Sequence, residues 1–439
     1  MHFYGSSSVN SKGHLTIGGV DTIDLASQYG TPLYIFDVAL IRERAKQFRD
    51  TFLNLGVKAQ VAYASKAFST IAMVQLAEEE GLSLDVVSSG ELFTALKAGF
   101  PVEKIHFHGN NKSAEELEMA VANKIGCVVV DNFLELSLLT SICAKYNYNM
   151  PILLRLTPGI EAHTHDYILT GQEDSKFGFD LQSGQAFEAM QLAENSPHVT
   201  LLGIHCHIGS QIFETTGFKM AAEKMFETLN DWKVRAGFEA SVVNLGGGFG
   251  IRYTEEDDPI PVSIYVEEII GQVQKYIAKY DMKMPEIWIE PGRSLVGDAG
   301  TTIYSIGARK EIPNVRTYVS VDGGMSDNLR PALYQAKYEA VLANRVEAPK
   351  EETVSIAGKA CESGDMLIWD IELPKTNEGD YLAVFCTGAY GYSMSNNYNR
   401  ITRPAVVFVE NGEAHLVVKR ESLEDIVRLD LPLNSKVLK

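Results

Sequence analysis

The sequence predicts a (β/α)8 barrel followed by a C-terminal all-β domain. Three observations lead to this fold class. Short β-rich runs alternate with helical stretches, polar or glycine residues end most of those runs, and the alternation stops near residue 295. Strands that alternate with helices pair in parallel, and eight such units are the number that closes a barrel.

The predicted barrel strands are apolar and rich in β-branched residues. They lie at about Lys58–Ala64, Leu82–Ser88, Ile105–Asn110, Cys127–Asn132, Pro151–Thr157, Leu201–Gly209, Val242–Gly248 and Glu286–Gly292. Ser88 and Ser113 each precede a glutamate by three residues, the spacing of a capping box at a helix start. Because the carboxyl ends of barrel strands surround one mouth, the polar and glycine residues there are predicted to share a site: Lys66, Asp85, His108, Asp131, Arg155, His207, Gly246–Gly248 and Glu290.

Beyond about residue 295 the pattern changes to strands without helices between them. These strands are predicted at Thr301–Arg309, Arg316–Val321, Asp380–Phe385, Ala405–Val409 and His415–Val418. Glycine and asparagine turns join several of them, as at Asn411-Gly412. We therefore expect a barrel over residues 36–295 and a β domain over 296–439, with residues 1–35 pairing with the β domain.

Length and composition limit the function classes. The chain has 439 residues, enough for two domains, and a formal net charge of -18. Such a charge repels a phosphate backbone, so we expect no nucleic-acid partner. No apolar run is long enough to span a membrane, and the N-terminus lacks the features of a signal peptide. The five cysteines form no CxxC pair, which is typical of a reducing compartment. We expect a cytoplasmic protein.

Lys66, the Gly246–Gly248 triplet and the Glu290–Arg293 segment have side chains or backbone suited to chemistry. A lysine that follows an apolar strand would be partly desolvated, which lowers its pKa and makes its amine nucleophilic; an isolated lysine at a barrel rim more often snorkels. Successive glycines let backbone N–H groups approach an anion, but alone they indicate a tight turn equally well. Glu290 could hold a ring nitrogen protonated, and Arg293 could bind phosphate or carboxylate.

The histidines form pairs two residues apart, namely His106/His108, His163/His165 and His205/His207. Such a pair on a strand points to one side and can bind a metal. The other interpretation is one histidine stacked in a site and another satisfied in the barrel wall. We favour it, since no carboxylate cluster accompanies the histidines, and we expect no metal site.

Together these motifs resemble the fold-type III pyridoxal 5'-phosphate (PLP) decarboxylases, whose barrel is of the alanine-racemase type. The match runs from about Gly30 to the Tyr390 region. Tyr-Ala-x-Lys, His-x-Gly-Ser, Gly-Gly-Gly-Phe and Glu-Pro-Gly-Arg carry the resemblance to the whole family. Arg330-Pro331-Ala332-Leu333-Tyr334 and Cys361-Glu362-Ser363-Gly364-Asp365 are similar to its diaminopimelate-specific branch. One departure is Phe68, where many members have asparagine.

The resemblance assigns roles by position. It implies that Lys66 is the Schiff-base lysine, that His207 stacks on the pyridine ring, that Glu290 pairs with the ring nitrogen and that Asp85 lies beneath the cofactor. The cofactor-binding residues it implies are Lys66, Asp85, His207, Ser210, Gly246, Gly247, Gly248, Glu290, Gly292, Arg293 and Tyr390. The substrate-binding residues it implies are Arg293, Arg330, Tyr334, Glu362 and Tyr390, with Cys361 as proton donor. It also implies a homodimer in which Cys361 and Glu362 reach the partner's barrel.

The expected function is therefore decarboxylation of meso-2,6-diaminopimelate to L-lysine and CO2, the last step of lysine biosynthesis. Four alternatives remain open at this point. They are a related decarboxylase of ornithine, lysine or arginine, a PLP amino-acid racemase, a PLP carrier without catalysis, and a barrel metallohydrolase that depends on the histidine pairs.

Overall fold

A computed structural model describes residues 2–160 and 175–433. The chain divides into two compact units, Ile41–Gly297 and a unit composed of Met1–Leu40 with Asp298–Lys439. The bounds predicted from the sequence, 36–295 and 296–439 with 1–35, are a few residues away from these. Among the described helices, none combines the length and the apolar character needed to cross a membrane.

The chain begins with a small three-stranded antiparallel sheet and then a single buried strand. The elements are β1 (Ser8–Val9), β2 (Leu15–Ile17), β3 (Val20–Asp21), α1 (Thr22–Tyr29), β4 (Leu33–Asp37) and α2 (Val38–Asn54). The Asp21 side chain caps α1 by accepting a hydrogen bond from the Ile23 N–H group.

The first of these units, Ile41–Gly297, contains parallel strands with a helix after most of them. The strands are β5 (Ala59–Ala64), β6 (Ser83–Val86), β7 (Ile105–Phe107), β8 (Cys127–Val130), β9 (Met150–Thr157), β10 (Phe179–Asp180), β11 (Val199–His205), β12 (Val242–Asn244) and β13 (Glu286–Ile289). The helices are α3 (Ile71–Glu79), α4 (Ser89–Ala98), α5 (Ala114–Ala122), α6 (Phe133–Tyr146), α7 (Gln185–Glu194), α8 (Thr216–Ala236), α9 (Val262–Tyr280) and α10 (Arg293–Val296).

Within the described part of this unit, eight parallel strands close into a barrel in the order β5-β6-β7-β8-β9-β11-β12-β13. Closure is completed where β13 pairs with β5, with Ile289 opposite Val61. The two-residue strand β10 adds to the end of β9. The predicted barrel is confirmed.

The barrel strands end earlier than the sequence pattern indicated. Val242–Gly248 was predicted as one strand, but the ladder ends at Asn244, and Glu286–Gly292 ends at Ile289. The residues beyond these ends leave the ladder and form the loops of the barrel mouth. Lys66, His207 and Glu290 therefore follow their strands, whereas Asp85 and Arg155 lie within β6 and β9.

The C-terminal part of the other unit is built on strands, with two five-residue helices that the all-β prediction omitted. Its elements are β14 (Gly300–Ile312), β15 (Arg316–Val321), α11 (Arg330–Tyr334), β16 (Ala340–Leu342), β17 (Glu352–Ala357), β18 (Met366–Leu373), β19 (Tyr381–Val384), β20 (Ala405–Glu410), β21 (Glu413–Val418) and α12 (Leu423–Val427).

The sheet of this unit has the order β18-β17-β15-β14-β4-β20-β21, and β16 joins it through β19, which pairs with β14. The N-terminal strand β4 pairs antiparallel with β14 and parallel with β20, so it closes the centre of the sheet. The predicted Asn411-Gly412 turn joins β20 to β21. Both residues have positive φ, 54° and 83°, which the primed turns of tight hairpins require.

Candidate active site at the barrel mouth

The interior of the barrel changes from apolar to polar in one step along several strands. Cys127, Val129, Leu153, Val242 and Trp288 form one buried cluster. Two residues further along the same strands stand the polar residues Asp131, Arg155, Asn244 and Glu290. Side chains on a strand alternate between its faces with a period of two, so these polar groups also face the interior. They form a polar layer at the carboxyl ends of the strands, where barrel active sites lie.

Glu290 is the centre of this polar layer. Its Oε1 accepts a hydrogen bond from the Asn244 side-chain amide (2.6 Å) and lies 3.0 Å from His108 Nε2. Its Oε2 is 3.2 Å from His205 Nε2. Burial alone would raise the pKa of Glu290, but His108 and His205 more than offset it and hold the pKa well below its ordinary value. Glu290 is therefore a buried carboxylate that stays anionic.

The glycine triplet continues from the same asparagine. Asn244 Oδ1 accepts the Gly246 N–H group at 2.9 Å, so one side chain orients both the carboxylate and the turn. Gly246 has φ +69°, and a Cβ added there would lie 2.4 Å from the Cys206 carbonyl oxygen. A Cβ at Gly247 would lie 2.0 Å from the carbonyl oxygen of Glu290. Tight backbone packing thus requires glycine here, and binding of an anion by the turn stays a prediction.

His207 follows β11 and lies next to this turn. Its Nδ1 accepts a hydrogen bond from the Gly247 N–H group at 3.2 Å, which fixes Nδ1 as the unprotonated nitrogen. Burial and the nearby Lys66 ammonium lower the pKa of His207 well below its ordinary value. The ring is therefore a neutral imidazole with a defined orientation.

Lys66 lies in a short 3-10 turn, Ser65–Ala67, directly after β5. The side chain is exposed, whereas Ser65 and Ala67 on either side of it are buried. Partial desolvation of the Lys66 amine stays a prediction. Ser65 donates a hydrogen bond to Glu91 (2.7 Å), and that contact holds the turn.

Two buried carboxylates accompany Lys66. Burial raises the pKa of Asp85 to about 6, although His108 and Lys66 favour its ionised form. Burial likewise raises the pKa of Glu91. Asp85 Oδ1 is buried and has no hydrogen-bond partner among the described residues; the nearest ring nitrogen, His108 Nε2, is 3.7 Å away. A buried polar atom left in this state indicates that a ligand supplies its partner.

The Glu290–Arg293 segment brings a cation to the same end of the barrel. Arg293 is buried and its guanidinium donates to the Ser210 hydroxyl (3.0 Å) and to the Tyr253 hydroxyl. The backbone is also tightly packed at Gly292, where a Cβ would lie 3.0 Å from the Ala64 Cβ. Ser210 and Arg293, predicted to act together on phosphate, are thus in direct contact.

The other predicted site residues belong to the second unit. Arg330 begins α11, is buried and donates to the Tyr338 hydroxyl at 2.7 Å. Tyr334 ends the same helix. Tyr390 has a left-handed backbone, with φ 58°. Cys361 and Glu362 lie on an exposed stretch between β17 and β18.

The histidines are placed as the wall-and-site interpretation expects. His106 stacks on Trp288 in the apolar interior, with ring centroids 4.1 Å apart, while His108 and His205 reach Glu290. No carboxylate cluster was expected beside the histidines, and the structure brings one carboxylate, Glu290, to two of them. Ligand atoms of His108, His205 and Glu290 lie within 4.8 Å of one another, a composition that can hold a metal. His163 and His165 lie outside the described residues.

The residues at the mouth fit PLP. The cofactor needs an amine for covalent attachment, an anion for its ring nitrogen and donors for its phosphate. Lys66, the anionic Glu290 and the contact between Ser210 and Arg293 offer these three groups at the ends of three strands. The buried Asp85 Oδ1 without a partner is a further observation that a ligand belongs here.

Sequence analysis did not identify the residues that orient these groups. Asn244 was counted as part of a strand, and Glu91 as a helix-capping residue. The Glu91 carboxylate accepts the Val87 N–H group and the Ser65 hydroxyl, so of the two capping boxes predicted at Ser88 and Ser113 the one at Ser113 is complete. The position of Asn244, two residues beyond the inward-facing Val242, was the signal that could have placed its side chain in the barrel interior.

The chain is similar in sequence to proteins of known function. Residues 38–297 match the family model described as pyridoxal-dependent decarboxylase, pyridoxal binding domain. The chain is 74% identical over 423 residues to diaminopimelate decarboxylase of Bacillus methanolicus, covering 96% of this chain and 98% of that one. It is 67% identical over 437 residues to diaminopimelate decarboxylase of Bacillus subtilis, covering 100% of both chains.

Among solved structures, diaminopimelate decarboxylase from M. jannaschii in co-complex with L-lysine superposes with a TM-score of 0.93. It is 36% identical to this chain, and the match covers 98% of this chain and 99% of that one. The similarity therefore extends over both compact units and is not confined to the barrel.

Proposed function

The chain belongs to the diaminopimelate decarboxylases, a group of pyridoxal-dependent decarboxylases, and we propose that it converts meso-2,6-diaminopimelate to L-lysine and CO2. This reaction is the last step of lysine biosynthesis. The observation that carries the proposal is the 67% identity over 437 residues, 100% of both chains, to a diaminopimelate decarboxylase. A barrel shared with other PLP enzymes would account for similarity over residues 38–297 alone.

The barrel residues hold the cofactor. Lys66 would hold it covalently, and the neutral His207 ring and Asp85 would contact it. Ser210, the turn of Gly246, Gly247 and Gly248, and the Gly292-Arg293 peptide bind its phosphate. When bound, PLP supplies an electron sink for the electron pair released as the C–C bond to the departing carboxylate breaks.

Glu290 keeps a proton on the ring nitrogen. An anion at this position stabilises a protonated nitrogen, and the Glu290 carboxylate stays anionic because of His108, His205 and the Asn244 amide. These three groups act on the cofactor through Glu290 and touch no reacting atom themselves. They are positioning residues.

The second unit binds the distal end of the substrate. Diaminopimelate has a second carboxylate and a second ammonium group, so the site needs a cation and an anion. Arg330 pairs with the distal carboxylate, assisted by Arg293, Tyr334 and Tyr390. Glu362 binds the distal ammonium group. A fixed arginine facing a substrate without that carboxylate would lose its partner, a cost of roughly 1–3 kcal/mol.

Cys361 delivers the proton that replaces the lost carboxylate. It is the exposed cysteine among the described residues, whereas Cys127, Cys143, Cys206 and Cys386 are buried. An exposed thiol can reach a site that its own chain does not enclose. We propose, as the family resemblance implies, that the protein is a homodimer in which Cys361 and Glu362 complete the partner's site, and that it acts in the cytoplasm.

The reaction is tested by supplying purified protein with PLP and then measuring CO2 and amino-acid products. meso-Diaminopimelate is compared with ornithine, lysine and arginine. Lysine and CO2 from diaminopimelate alone support the proposal. CO2 from one of the other three amino acids indicates a related decarboxylase, and a change of configuration without CO2 indicates a racemase.

The shared site is tested by mixing two inactive variants, Lys66→Ala and Cys361→Ala, under conditions that exchange subunits. A mixed dimer contains one site with both native residues, so activity that neither parent has supports shared sites. No recovered activity in verified mixed dimers contradicts them.

A further inference from the structure

One buried carboxylate links two segments that carry proposed substrate-end residues. Asp365 follows the exposed residues Cys361–Gly364, yet it is itself only 3% exposed. Its Oδ1 accepts the Met325 N–H group at 2.6 Å, and its Oδ2 accepts the Ala360 N–H group at 2.7 Å. Met325 lies five residues before Arg330, and Ala360 directly precedes Cys361.

The space around this carboxylate is closed by two glycines. A Cβ at Gly324 would lie 2.4 Å from Asp365 Oδ1, and a Cβ at Gly358 would lie 2.2 Å from both carboxylate oxygens. Neither position therefore accepts a side chain while the aspartate keeps its place. The carboxylate fills a pocket formed by the backbones of the two segments it joins.

Backbone hydrogen bonds join the same two segments. The Lys359 N–H group donates to the Gly323 carbonyl oxygen at 2.9 Å, and the Gly358 N–H group donates to the Asp365 carbonyl oxygen at 2.9 Å. The two segments therefore contact each other through main-chain groups on either side of the Asp365 carboxylate. Loss of the carboxylate would leave the Met325 and Ala360 N–H groups without their acceptor.

A second aspartate, Asp327, extends these hydrogen bonds towards Arg330. The Gly324 N–H group donates to Asp327 Oδ1 at 2.8 Å, and the Asn328 N–H group donates to the Gly324 carbonyl oxygen at 2.8 Å. These bonds shape the turn that leads into α11, whose first residue is Arg330. The position of the Met325 backbone thus determines where α11 begins.

The loop that carries Cys361 is also held from its other side. The Cys361 N–H group donates to Asn399 Oδ1 at 2.7 Å, and the Asn396 N–H group donates to the Ser326 carbonyl oxygen at 2.8 Å. Residues 396–399 therefore contact both segments. Charged acceptors of backbone N–H groups form stronger hydrogen bonds than neutral ones, so the Asp365 carboxylate is a stronger acceptor than the Asn399 side-chain oxygen or the Ser326 carbonyl oxygen.

From these contacts we propose that Asp365 is a positioning residue that holds the Arg330 turn and the Cys361–Glu362 loop in one fixed relation. In the proposed homodimer Arg330 serves the site of its own subunit and Glu362 the site of the partner, so a fixed relation between their segments holds a substrate-end residue of each site in place. This inference rests on the proposed function for the roles of Arg330, Cys361 and Glu362. The coupling of the two segments is a property of the fold and can be measured without substrate.

The test compares Asp365→Asn with Asp380→Asn in the full-length, PLP-loaded protein. Asp380 is also a buried aspartate of this unit, and it accepts the Asn377 N–H group at 2.8 Å, but its contacts lie away from both segments. Hydrogen exchange is followed at the Met325 and Ala360 amides, since exchange reports local opening. Kinetic constants for meso-diaminopimelate and the PLP content are measured on the same samples.

Asp365→Asn is expected to speed exchange at both amides together and to lower kcat/KM by roughly tenfold or more, with unchanged PLP content. Gly358→Ala should do the same, because its Cβ displaces the carboxylate. Asp380→Asn should change neither property. If the Met325 and Ala360 amides of Asp365→Asn exchange as slowly as in the wild type, the coupling of the two segments is overturned. If Asp365→Asn and Asp380→Asn lose kcat/KM equally, the positioning role of Asp365 is overturned. If the wild-type protein releases no CO2 from diaminopimelate, the proposed function fails, and the exchange data alone decide the coupling.

Discussion

Asn244→Ala tests whether the anionic state of Glu290 depends on the groups around it. The substitution removes the amide that donates to Glu290 Oε1 across 2.6 Å. A hydrogen bond to a charged acceptor contributes about 1.5–3 kcal/mol. At about 1.4 kcal/mol for each factor of ten, we expect kcat/KM for diaminopimelate to fall about 10- to 150-fold. Loss of this donor would also raise the pKa of Glu290, because the amide stabilises the ionised carboxylate.

The assay is the pH profile of kcat/KM together with the PLP content of the variant. Loss of the amide should move the acidic limb of the profile to higher pH, a change that a purely structural defect would not cause. Gln60→Ala is the matched control, because Gln60 also makes a polar contact in the barrel, to Ser83 at 2.7 Å, but stands near the start of β5. The reasoning is refuted if Asn244→Ala keeps the wild-type profile, or if both variants lose activity equally.

Three further predictions concern charge and metal. Arg330→Ala should lower kcat/KM for diaminopimelate by about 5- to 150-fold at unchanged PLP content, and equal turnover would remove Arg330 from the substrate site. Burial raises the pKa of Asp327 to about 7, so the folded state binds this proton more tightly than the unfolded state does. The contribution of Asp327 to the free energy of unfolding is therefore complete below about pH 4, and it falls by roughly 4 kcal/mol as the pH rises to 7. Urea unfolding at several pH values should show this fall for the wild type but not for Asp327→Asn. Dialysis against a chelator should leave CO2 release intact, whereas lost activity restored by a metal would assign His108, His205 and Glu290 to an ion.

The barrel was predictable because its signals are local. Alternating strands and helices gave the fold, and every polar residue that follows a strand end was predicted to face the mouth. Glu290 and His108 do meet there, with side-chain atoms 3.0 Å apart, although the two residues are 182 positions apart in the chain. Closure of a parallel barrel is what converts the end of each strand into a shared site.

The orienting residues were not predictable in the same way. Asn244 and Asp365 act through hydrogen bonds to partners distant in sequence, and neither residue type indicates such a partner. The strands β16, β17 and β18 were also missed, since their pairing is set by long-range contacts within the sheet.

The central claim is that Lys66 carries the cofactor, and peptide mapping after borohydride reduction of the PLP-loaded protein tests it most directly. Reduction makes the lysine–cofactor bond permanent, and mass spectrometry then locates the added pyridoxyl group. We expect the pyridoxyl group on Lys66 and none on Lys112, a barrel lysine that is buried and paired with Glu135 at 2.7 Å. A pyridoxyl group on Lys112 or on any lysine other than Lys66 would contradict it.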